Sequence, residues 1–256
     1  AFLIGALAPW DCGSQQSCDM EVSVRILGLD SSGLVAGVAV TENDVLLAEY
    51  TTDYKKTHSQ TLLPMLDELR KMIDLDLDTI DAIAVASGPG SFTGLRIGSA
   101  TAKGLGLALG KPIVEVPTLE GLAWNLWGTD RLVCPLMDAR REQVYSAVYE
   151  FQSEGEGFRL LNLTEQMPIN IIELTEKIND LKREVIFLGD GLPVYLSKIR
   201  EHIAVPFRLA PSGCNRQRAA CVAALGAVYY AQGKYVEAAA HQPEYLRKSQ
   251  AERENP

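Results

Sequence analysis

The feature that most constrains the fold is a continuous segment at residues 80–116, with the sequence IDAIAVASGPGSFTGLRIGSATAKGLGLALGKPIVEV. It starts with the apolar pattern of a buried strand and passes through a glycine-rich turn into a helix that runs to about Leu109. Gly110 is placed to end this helix, and Pro112 follows it. Because another strand pattern comes next, at 113–116, the segment predicts strand, turn, helix and strand, an order that favours an α/β fold.

The predicted helix contains an unusual number of small residues. They recur every four positions, at Gly94, Gly98, Ala102, Gly106 and Gly110. Glycine costs about 1 kcal/mol relative to alanine in a helix interior, so several together need a structural reason. A spacing of four places them along one stripe, where another backbone can approach closely. The spacing alone leaves two interpretations open: packing against the chain's own sheet or neighbouring helix, and contact with a helix of another subunit.

The turn before this helix is a candidate anion site. Its glycines permit close backbone approach, and Ser91 or Thr93 can cap the helix start. Free N–H groups at a helix start favour anions. However, the turn matches neither GxGxxG nor a Walker motif. A phosphate or nucleotide site and an ordinary capped turn therefore both remain open.

The two halves of the chain have a similar organisation. Each opens with a strand that ends in an aspartate, Asp30 or Asp138, followed by a hairpin and then by alternating strands and helices. Hairpins that lead into βα units predict a two-lobed α/β protein. The turn Asp30-Ser31-Ser32 resembles the phosphate-facing turn of actin-like ATPases, and an ordinary Asp/Ser turn is the alternative. The same two alternatives apply to the Gly-Asp-Gly turn at 189–191. The segment Asp138–Arg141 is either a solvated hairpin or a polyanion contact.

Composition disfavours several classes of function. The chain carries 24 Lys and Arg against 33 Asp and Glu, and its net charge of −9 disfavours autonomous binding to nucleic acid. No apolar run is long enough to predict a spanning helix. The five cysteines include no CxxC pair and only three histidines accompany them, so no zinc motif is present. Their odd number and wide scatter are typical of reduced thiols, which predicts a cytoplasmic protein.

Catalytic motifs for hydrolysis are also missing from the sequence. Neither G-x-S-x-G nor H-E-x-x-H occurs, which disfavours serine hydrolases and zinc peptidases. His58 stands beside Ser59 and Gln60 at the start of a predicted helix at 57–73. We interpret it as a surface or interface histidine rather than as a catalytic base. Pro64 lies inside that helix and predicts a kink or a later start.

Residues 1–19 differ from the rest of the chain. They start with an apolar run, Ala1–Trp10, but contain no Lys or Arg, which a secretory signal needs. Met20 stands directly before the first strand pattern. We therefore expect residues 1–19 to be a leader or extension, disordered or non-native, outside the folded protein.

Six segments carry a resemblance to a known family. In order between Met20 and Arg247 they are ILGLDSSGLVAGVAV, KKTHSQTLLPMLDEL, ASGPGSFTGLRIGSATAKGLGLALGKPIVEVPTLEGLA, LMDARREQVYSAVY, FLGDG and PEYLR. Together they resemble the TsaB family, also called YeaZ, of bacterial threonylcarbamoyladenosine biosynthesis subunits. The segment GPGSFTGLRIG is a specific motif within this set.

This resemblance implies a fold and a role. The fold would be actin-like and sugar-kinase-like, with two lobes of mixed sheets flanked by helices. We expect a first lobe at 20–125, a second lobe at 126–213, and a C-terminal helix at 214–247 that packs back on the first lobe. The resemblance implies a noncatalytic subunit, required by the catalytic paralogue that transfers threonylcarbamoyl to adenosine 37 of tRNAs reading ANN codons. An ATPase subunit would join them, homodimers would form in isolation, tRNA would be contacted only indirectly, and no membrane would be involved.

The resemblance also assigns candidate residues. The subunit interface is expected on the helices at 57–73 and 92–109, through His58, Leu62, Met65, Leu66, Leu69, Gly94, Ile97, Gly98, Thr101, Ala102 and Leu105. This favours the interface interpretation of the small-residue stripe. The candidates near a phosphate or nucleotide are Asp30, Ser31, Ser32, Gly88, Gly90 and Ser91. No intrinsic cofactor is expected, and ATP or ADP would bind at a subunit junction.

The resemblance argues against a metal site in this chain. The catalytic paralogue carries a His-x3-His metal motif after the equivalent of GKP, where this chain has Thr118 and Leu122. Leucine has no donor atom and a lone threonine hydroxyl binds metals poorly, so neither iron nor zinc is expected there. The chain is therefore expected to be a pseudoenzyme subunit and not a peptidase. The alternative is a self-contained ATPase or kinase that uses Mg-ATP, which Asp30 and the two glycine turns suggest.

Overall fold

The computed structural model describes residues 23–53 and 58–244. The expected extension at 1–19 lies outside the described residues, as do the first residue of the helix expected at 57–73 and the last three of the helix expected at 214–247. The described residues form two sheets with helices packed on them. The expected class, mixed sheets flanked by helices, is therefore confirmed.

The first lobe is built on a five-stranded mixed sheet. Strands β1 (Arg25–Asp30), β2 (Ala36–Glu42) and β3 (Val45–Thr52) form an antiparallel meander, because the turns between them are short. Strands β4 (Ala82–Gly88) and β5 (Ile113–Pro117) add in parallel on the other side of β1. The strand order is β3-β2-β1-β4-β5, so β3 and β5 form the edges.

The second lobe contains a larger mixed sheet. Its strands are β6 (Leu132–Asp138), β7 (Gln143–Ser146), β8 (Tyr149–Glu154), β9 (Gly157–Asn162), β10 (Met167–Asn170), β11 (Val185–Leu188) and β12 (Phe207–Leu209). Strand β6 is central, because it pairs in parallel with β11 and antiparallel with both β7 and β8. The sheet continues from β7 to β10, from β8 to β9, and from β11 to β12.

The α-helices cover both faces of the first sheet and pack on the second. Over the described ranges they are α1 (His58–Met72), α2 (Phe92–Leu109), α3 (Thr118–Ala123), α4 (Ile171–Asp180), α5 (Leu192–His202) and α6 (Ala219–Ala231). Short 3-10 helices lie at Leu77–Thr79 and Trp124–Leu126. None of the helices in these ranges is long and apolar enough to cross a membrane.

Alternation along β1 separates two cores in the first lobe. Leu27 and Leu29 pack with α1 and α2, whereas Ile26 packs with α6 on the opposite face. Helix α6 lies very close to the sheet, because a Cβ added at Gly28 would be only 2.8 Å from the Cβ of Ala223. The abundance of alanine in α6 therefore reflects close packing on the sheet as well as helix propensity.

Several boundaries differ from those expected. In the hairpin predicted after Asp138, the returning arm is divided into β7 and β8, because β7 pairs with β10 and β8 pairs with β9. The helix expected at 214–247 covers only Ala219–Ala231 of the described residues, and an irregular segment follows it. Helix α1 begins at His58 and continues through Pro64, since its buried apolar face compensates for one missing hydrogen bond. Helix α5 and the short strands β10 and β12 were not predicted.

Candidate functional site

The turn between β1 and β2 holds three of the candidates for a phosphate site. Asp30 ends β1 and is only 2% exposed, and both the N–H and the hydroxyl of Ser32 donate to its Oδ1, at 2.8 and 2.7 Å. Burial raises the pKa of the Asp30 carboxyl to about 6, although the two hydrogen bonds oppose this shift. The buried Asp30 carboxylate therefore stabilises the β1–β2 turn through its hydrogen bonds with Ser32. Ser31 and Ser32 are buried beside it.

The glycine-rich turn after β4 packs directly on the β1–β2 turn. The Ser91 N–H donates to the carbonyl of Ser32 at 2.7 Å, and the Ser31 hydroxyl donates to the carbonyl of Gly94 at 2.8 Å. A side chain at Gly90 would collide with the Ser32 carbonyl, and one at Gly94 would collide with the Ser31 carbonyl. Glycine is required at both positions because two backbone segments approach so closely.

Two further hydrogen bonds fix the start of α2. Ser91 is the N-cap, as the sequence allows, and its hydroxyl accepts from the Gly94 N–H at 3.3 Å. The Gly88 N–H donates to Thr118 Oγ1 at 3.1 Å. The structure thus brings the six phosphate-site candidates together, but these donors are engaged within the chain. The geometry supports an ordinary capped turn, and a role of these residues towards a nucleotide stays a prediction.

The two positions that the resemblance aligns with the paralogue's metal motif make contacts that support the fold. Thr118 and Leu122 are each 1% exposed at most. The Thr118 hydroxyl accepts a hydrogen bond from the Gly88 N–H. Leu122 belongs to an apolar cluster with Val133 and Tyr149 of the second lobe. The residues present do not fit a metal. Across 23–53 and 58–244, no group of three or more His, Cys, Asp or Glu side chains is placed to hold a metal ion.

The structure corrects most of the expected subunit interface. Seven of those residues are buried in the first lobe itself: Leu62, Met65, Leu66, Leu69, Gly94, Gly98 and Ala102. The apolar face of α1 covers the sheet, and a Cβ at Gly98 would lie 2.6 Å from Ser31 Oγ. These residues therefore cannot present side chains to a partner. The other four are partly exposed, and their interface role stays a prediction: His58, Ile97, Thr101 and Leu105.

The outward face of α2 carries a second row of small residues, which the sequence analysis missed. Ala100, Gly104 and Ala108 are exposed at four-residue spacing, and a side chain at Gly104 would meet no atom within 4 Å. Leu107 lies beside them and is 59% exposed. In the sequence, this second row is visible as another four-residue repeat of small residues, offset from the first repeat. The glycines of the buried row obscured it.

A C-terminal segment at 234–244, here called the C-terminal strap, also escaped prediction. The N–H and carbonyl of Val236 pair with Ile113, both at 2.9 Å, so the strap covers the edge strand β5. Further along, the Glu244 N–H donates to the carbonyl of Ser87 at 2.8 Å. The strap therefore runs from β5 to the turn that precedes α2.

Between these two points the strap contacts one flank of α2. A Cβ at Gly106 would lie 2.8 Å from the Cβ of Ala238, so this member of the buried row makes room for the strap. His241 is buried with its Nδ1 2.6 Å from Glu115 Oε1. Lys103 Nζ donates to the carbonyl of His241 at 3.4 Å. The β1–β2 turn accounts for Gly94 and Gly98, and the strap accounts for Gly106.

In the second lobe, Asp138 and Asp190 lie together at the ends of β6 and β11. Asp138 accepts a hydrogen bond from the Tyr195 hydroxyl at 3.0 Å and pairs with the exposed Arg140 at 3.2 Å. The Asp138 N–H donates to Asp190 Oδ1 at 3.4 Å, and burial raises the pKa of the Asp190 carboxyl. The pairing of Arg140 supports the interpretation of this segment as a solvated hairpin.

Known proteins share this architecture. The solved structure of YeaZ from Pseudomonas aeruginosa matches with a TM-score of 0.70 and 27% identity, over 87% of this chain and all of that one. The family model of TsaD, tRNA N6-adenosine threonylcarbamoyltransferase, matches residues 45–255. Fold and sequence thus define a protein of the TsaD group, built on two mixed sheets flanked by helices.

Two curated relatives identify the branch of this group. The TsaB protein of Bacillus subtilis is 33% identical over 90% of this chain and 96% of that protein. The TsaB protein of Haemophilus influenzae is 29% identical over 75% of this chain and 81% of that protein. The chain belongs to the TsaB family of tRNA threonylcarbamoyladenosine biosynthesis proteins, which confirms the resemblance noted from its motifs.

Proposed function

We propose that this chain is a noncatalytic partner subunit for threonylcarbamoyl transfer to adenosine 37 of tRNAs that read ANN codons. It holds and activates the catalytic paralogue through the outward faces of α1 and α2. The observation that carries this proposal lies at Thr118 and Leu122, which support a turn and an apolar cluster where the paralogue binds its metal. A metal at this place would have to displace both contacts.

A self-contained Mg-ATP enzyme receives less support. Such an enzyme needs an ionised aspartate that faces a phosphate-bound metal. Here Asp30 is buried, and its Oδ1 accepts two hydrogen bonds from Ser32 of its own turn. The net charge of −9 also fits a subunit whose partner supplies the contacts to tRNA.

The decisive test is a transfer assay with tRNA, the catalytic paralogue and the ATPase subunit, run with and without this chain. We expect transfer only when the chain is present, and no transfer or Mg-ATP turnover by the chain alone. Equal transfer in its absence would contradict the proposal. Nucleotide binding at a subunit junction and a homodimer in isolation stay predictions. Equilibrium dialysis of the assembled complex would test the first, and sedimentation of the chain alone would test the second.

The interface itself is tested by Gly104→Arg. Arginine is a better helix former than glycine and would meet no atom within 4 Å, so the fold should be retained while the row is blocked. We expect at least tenfold weaker binding to the paralogue and a parallel loss of transfer. Gly213→Arg is the matched control, because a side chain there also meets no atom within 4 Å. Thermal unfolding of both variants verifies that they are folded.

A further inference from the structure

The two lobes meet differently at the two edges of the first sheet. Strands β1, β3, β4 and β5 run in the same direction, so their carboxyl ends share one end of the sheet. At the β5 edge the chain continues into α3, where Leu119 and Leu122 pack in an apolar cluster with Val133 and Tyr149 of the second lobe. These four side chains are at most 1% exposed, so water is excluded from the lobe boundary on this side.

At the β3 edge, an arginine contacts both lobes. Arg216 lies in the segment at 210–218, which returns from β12 of the second lobe to α6. Its Nε lies 3.5 Å from Oδ2 of Asp53, the residue after β3, and its Nη1 donates to the carbonyl of Gly189, after β11, at 3.1 Å. The Asp53 side chain is 49% exposed, so the lobe boundary is polar and open to water on this side.

The two connections between the lobes touch each other at Asn125. This residue belongs to the first connection, in the 3-10 helix that follows α3, and its Nδ2 donates to the carbonyl of Leu122 at 2.9 Å. The same Nδ2 donates to the carbonyl of Arg216, in the second connection, at 3.0 Å. Because the connections are joined here, close to the apolar cluster of α3, a rotation of one lobe against the other would pivot at this place.

The neighbour of Arg216 is a buried amide without partners. Gln217 is only 1% exposed, and neither its Nε2 nor its Oε1 has a hydrogen-bond partner. Its side chain lies against the β1–β2 turn, because a Cβ added at Gly33 would be 2.6 Å from Gln217 Nε2. A buried polar group without partners costs free energy, and contact with water removes this cost. The observed arrangement of the lobes therefore contains a group that favours their opening.

We propose that Arg216 is a clasp that keeps the lobes closed, and that they open as a hinge at the β3 edge when it releases Asp53. The pivot lies at Asn125 and the apolar cluster of α3. The β3 and β5 edges are four strand spacings apart, about 19 Å, so a rotation of about 15° opens the β3 edge by about 5 Å. This gap admits water to Gln217, whose amide then gains hydrogen-bond partners.

Distances between pairs of spin labels test the direction of this opening. Labels on p-acetylphenylalanine leave the cysteines untouched and would replace Tyr50 and Val194 across the β3 edge, or Tyr235 and Leu163 across the β5 edge. All four side chains are at least 38% exposed, so the labels should not disturb the fold. We expect a second population for the first pair, about 5 Å longer than the closed one, and a single distance for the second pair.

Variants of the clasp should change the size of this open population. Arg216→Ala should raise the open fraction about threefold, because a partly exposed ion pair stabilises the closed form only modestly. Asp53→Asn should act in the same direction and tests the same contact from an exposed position. Arg218→Ala is the matched control, since the Arg218 guanidinium pairs with Glu49 inside the first lobe.

Two further measurements distinguish a clasp from a residue that merely supports the fold. Raising NaCl from about 50 to about 500 mM should increase the open fraction of the parent chain but not that of Arg216→Ala, because salt screens an exposed ion pair. Gln217→Leu should lower the open fraction in both backgrounds, because leucine fills a similar volume and needs no hydrogen-bond partner. Thermal unfolding verifies that each variant is folded.

Three outcomes would overturn this inference. If Arg216→Ala and Asp53→Asn have the same open fraction as Arg218→Ala, the ion pair does not hold the lobes. An equal lengthening of both label distances would show that the lobes separate without the pivot at α3. A larger open fraction in Gln217→Leu would show that the buried amide favours the closed form. If Arg216→Ala is unfolded, Asp53→Asn alone decides the first point.

Discussion

At Asp30 the chain buries a carboxyl group at the end of its first strand, where Ser32 supplies two hydrogen bonds to a single oxygen. The pKa of this carboxyl is raised to about 6, so the folded state binds a proton more tightly than the unfolded state does. As pH rises from about 4 to about 6, the unfolded chain releases that proton first. The contribution of Asp30 to stability therefore decreases as the pH rises through this window.

Asp30→Asn should stabilise the protein at neutral pH. The amide oxygen can still accept both hydrogen bonds from Ser32, while the buried charge is removed. We expect a gain of up to about 3 kcal/mol in the free energy of unfolding at pH 7. Between pH 4 and 6, the free energy of unfolding should depend less steeply on pH than in the parent chain. Urea unfolding at several pH values measures both. A loss of stability at pH 7 together with loss of transfer would show that the ionised carboxylate is needed.

The roles that depend on neighbouring residues in the chain were predictable from the sequence, whereas contacts between distant segments were not. Ser91 could be recognised as an N-cap because capping depends on residues within one turn. The close packing of Ser31 and Ser32 depends on Gly94 and Gly90, which lie about sixty residues further along the chain. Residue spacing alone does not show such an approach. For the same reason, the phosphate site remained one of two interpretations.

At the scale of elements, α2 has two rows of small residues with different neighbours. The inner row, which is the buried row of Gly94, Gly98, Ala102 and Gly106, accommodates the β1–β2 turn and the C-terminal strap. The outer row of Ala100, Gly104 and Ala108 is exposed. Periodicity predicted the helix and its small stripe, but both rows share a spacing of four. A repeat shows which residues lie on one side of a helix and not which side faces the sheet. Gly94, Gly98 and Ala102 were therefore expected to face a partner, although they face the chain's own turn and sheet.

Replacing a glycine by alanine should have opposite effects on stability in the two rows. Gly94→Ala should destabilise the protein by more than about 2 kcal/mol, because its Cβ would overlap the Ser31 carbonyl within a packed interior. Gly104→Ala should stabilise it by about 1 kcal/mol, because it improves helix propensity and contacts nothing. Chemical unfolding of the two variants checks both signs. Equal effects would contradict the assignment of inner and outer rows.

At the scale of the whole molecule, Glu120 joins the two lobes. This buried residue of α3 accepts hydrogen bonds from the Tyr229 hydroxyl of α6 and from Asn162 Nδ2 of β9, the latter at 3.2 Å. Helix α6 belongs to the first lobe and β9 to the second. Glu120 therefore connects their cores through polar contacts, beside the apolar cluster that contains Leu122.

A double-mutant cycle between Glu120 and Tyr229 measures this link. Tyr229→Phe removes the donor and Glu120→Ala removes the acceptor, so each single change leaves a buried polar group without its partner. We expect a coupling energy of about 1–3 kcal/mol in the free energy of unfolding. Tyr230→Phe is the control, since Tyr230 instead contacts the ring of Tyr235. Strict additivity of the two changes would argue against the link.

The position of α6 also has a consequence for biosynthesis. The last strand of the first sheet ends at Pro117, but the helix that covers one face of that sheet starts at Ala219, after the whole second lobe. At ribosomal rates of about 5–20 residues per second, roughly 5–20 s separate the synthesis of the sheet from that of its cover. During this interval the nascent chain exposes the apolar face that includes Ile26 and Val116. The first lobe is thus the first to emerge from the ribosome and the last to be completed.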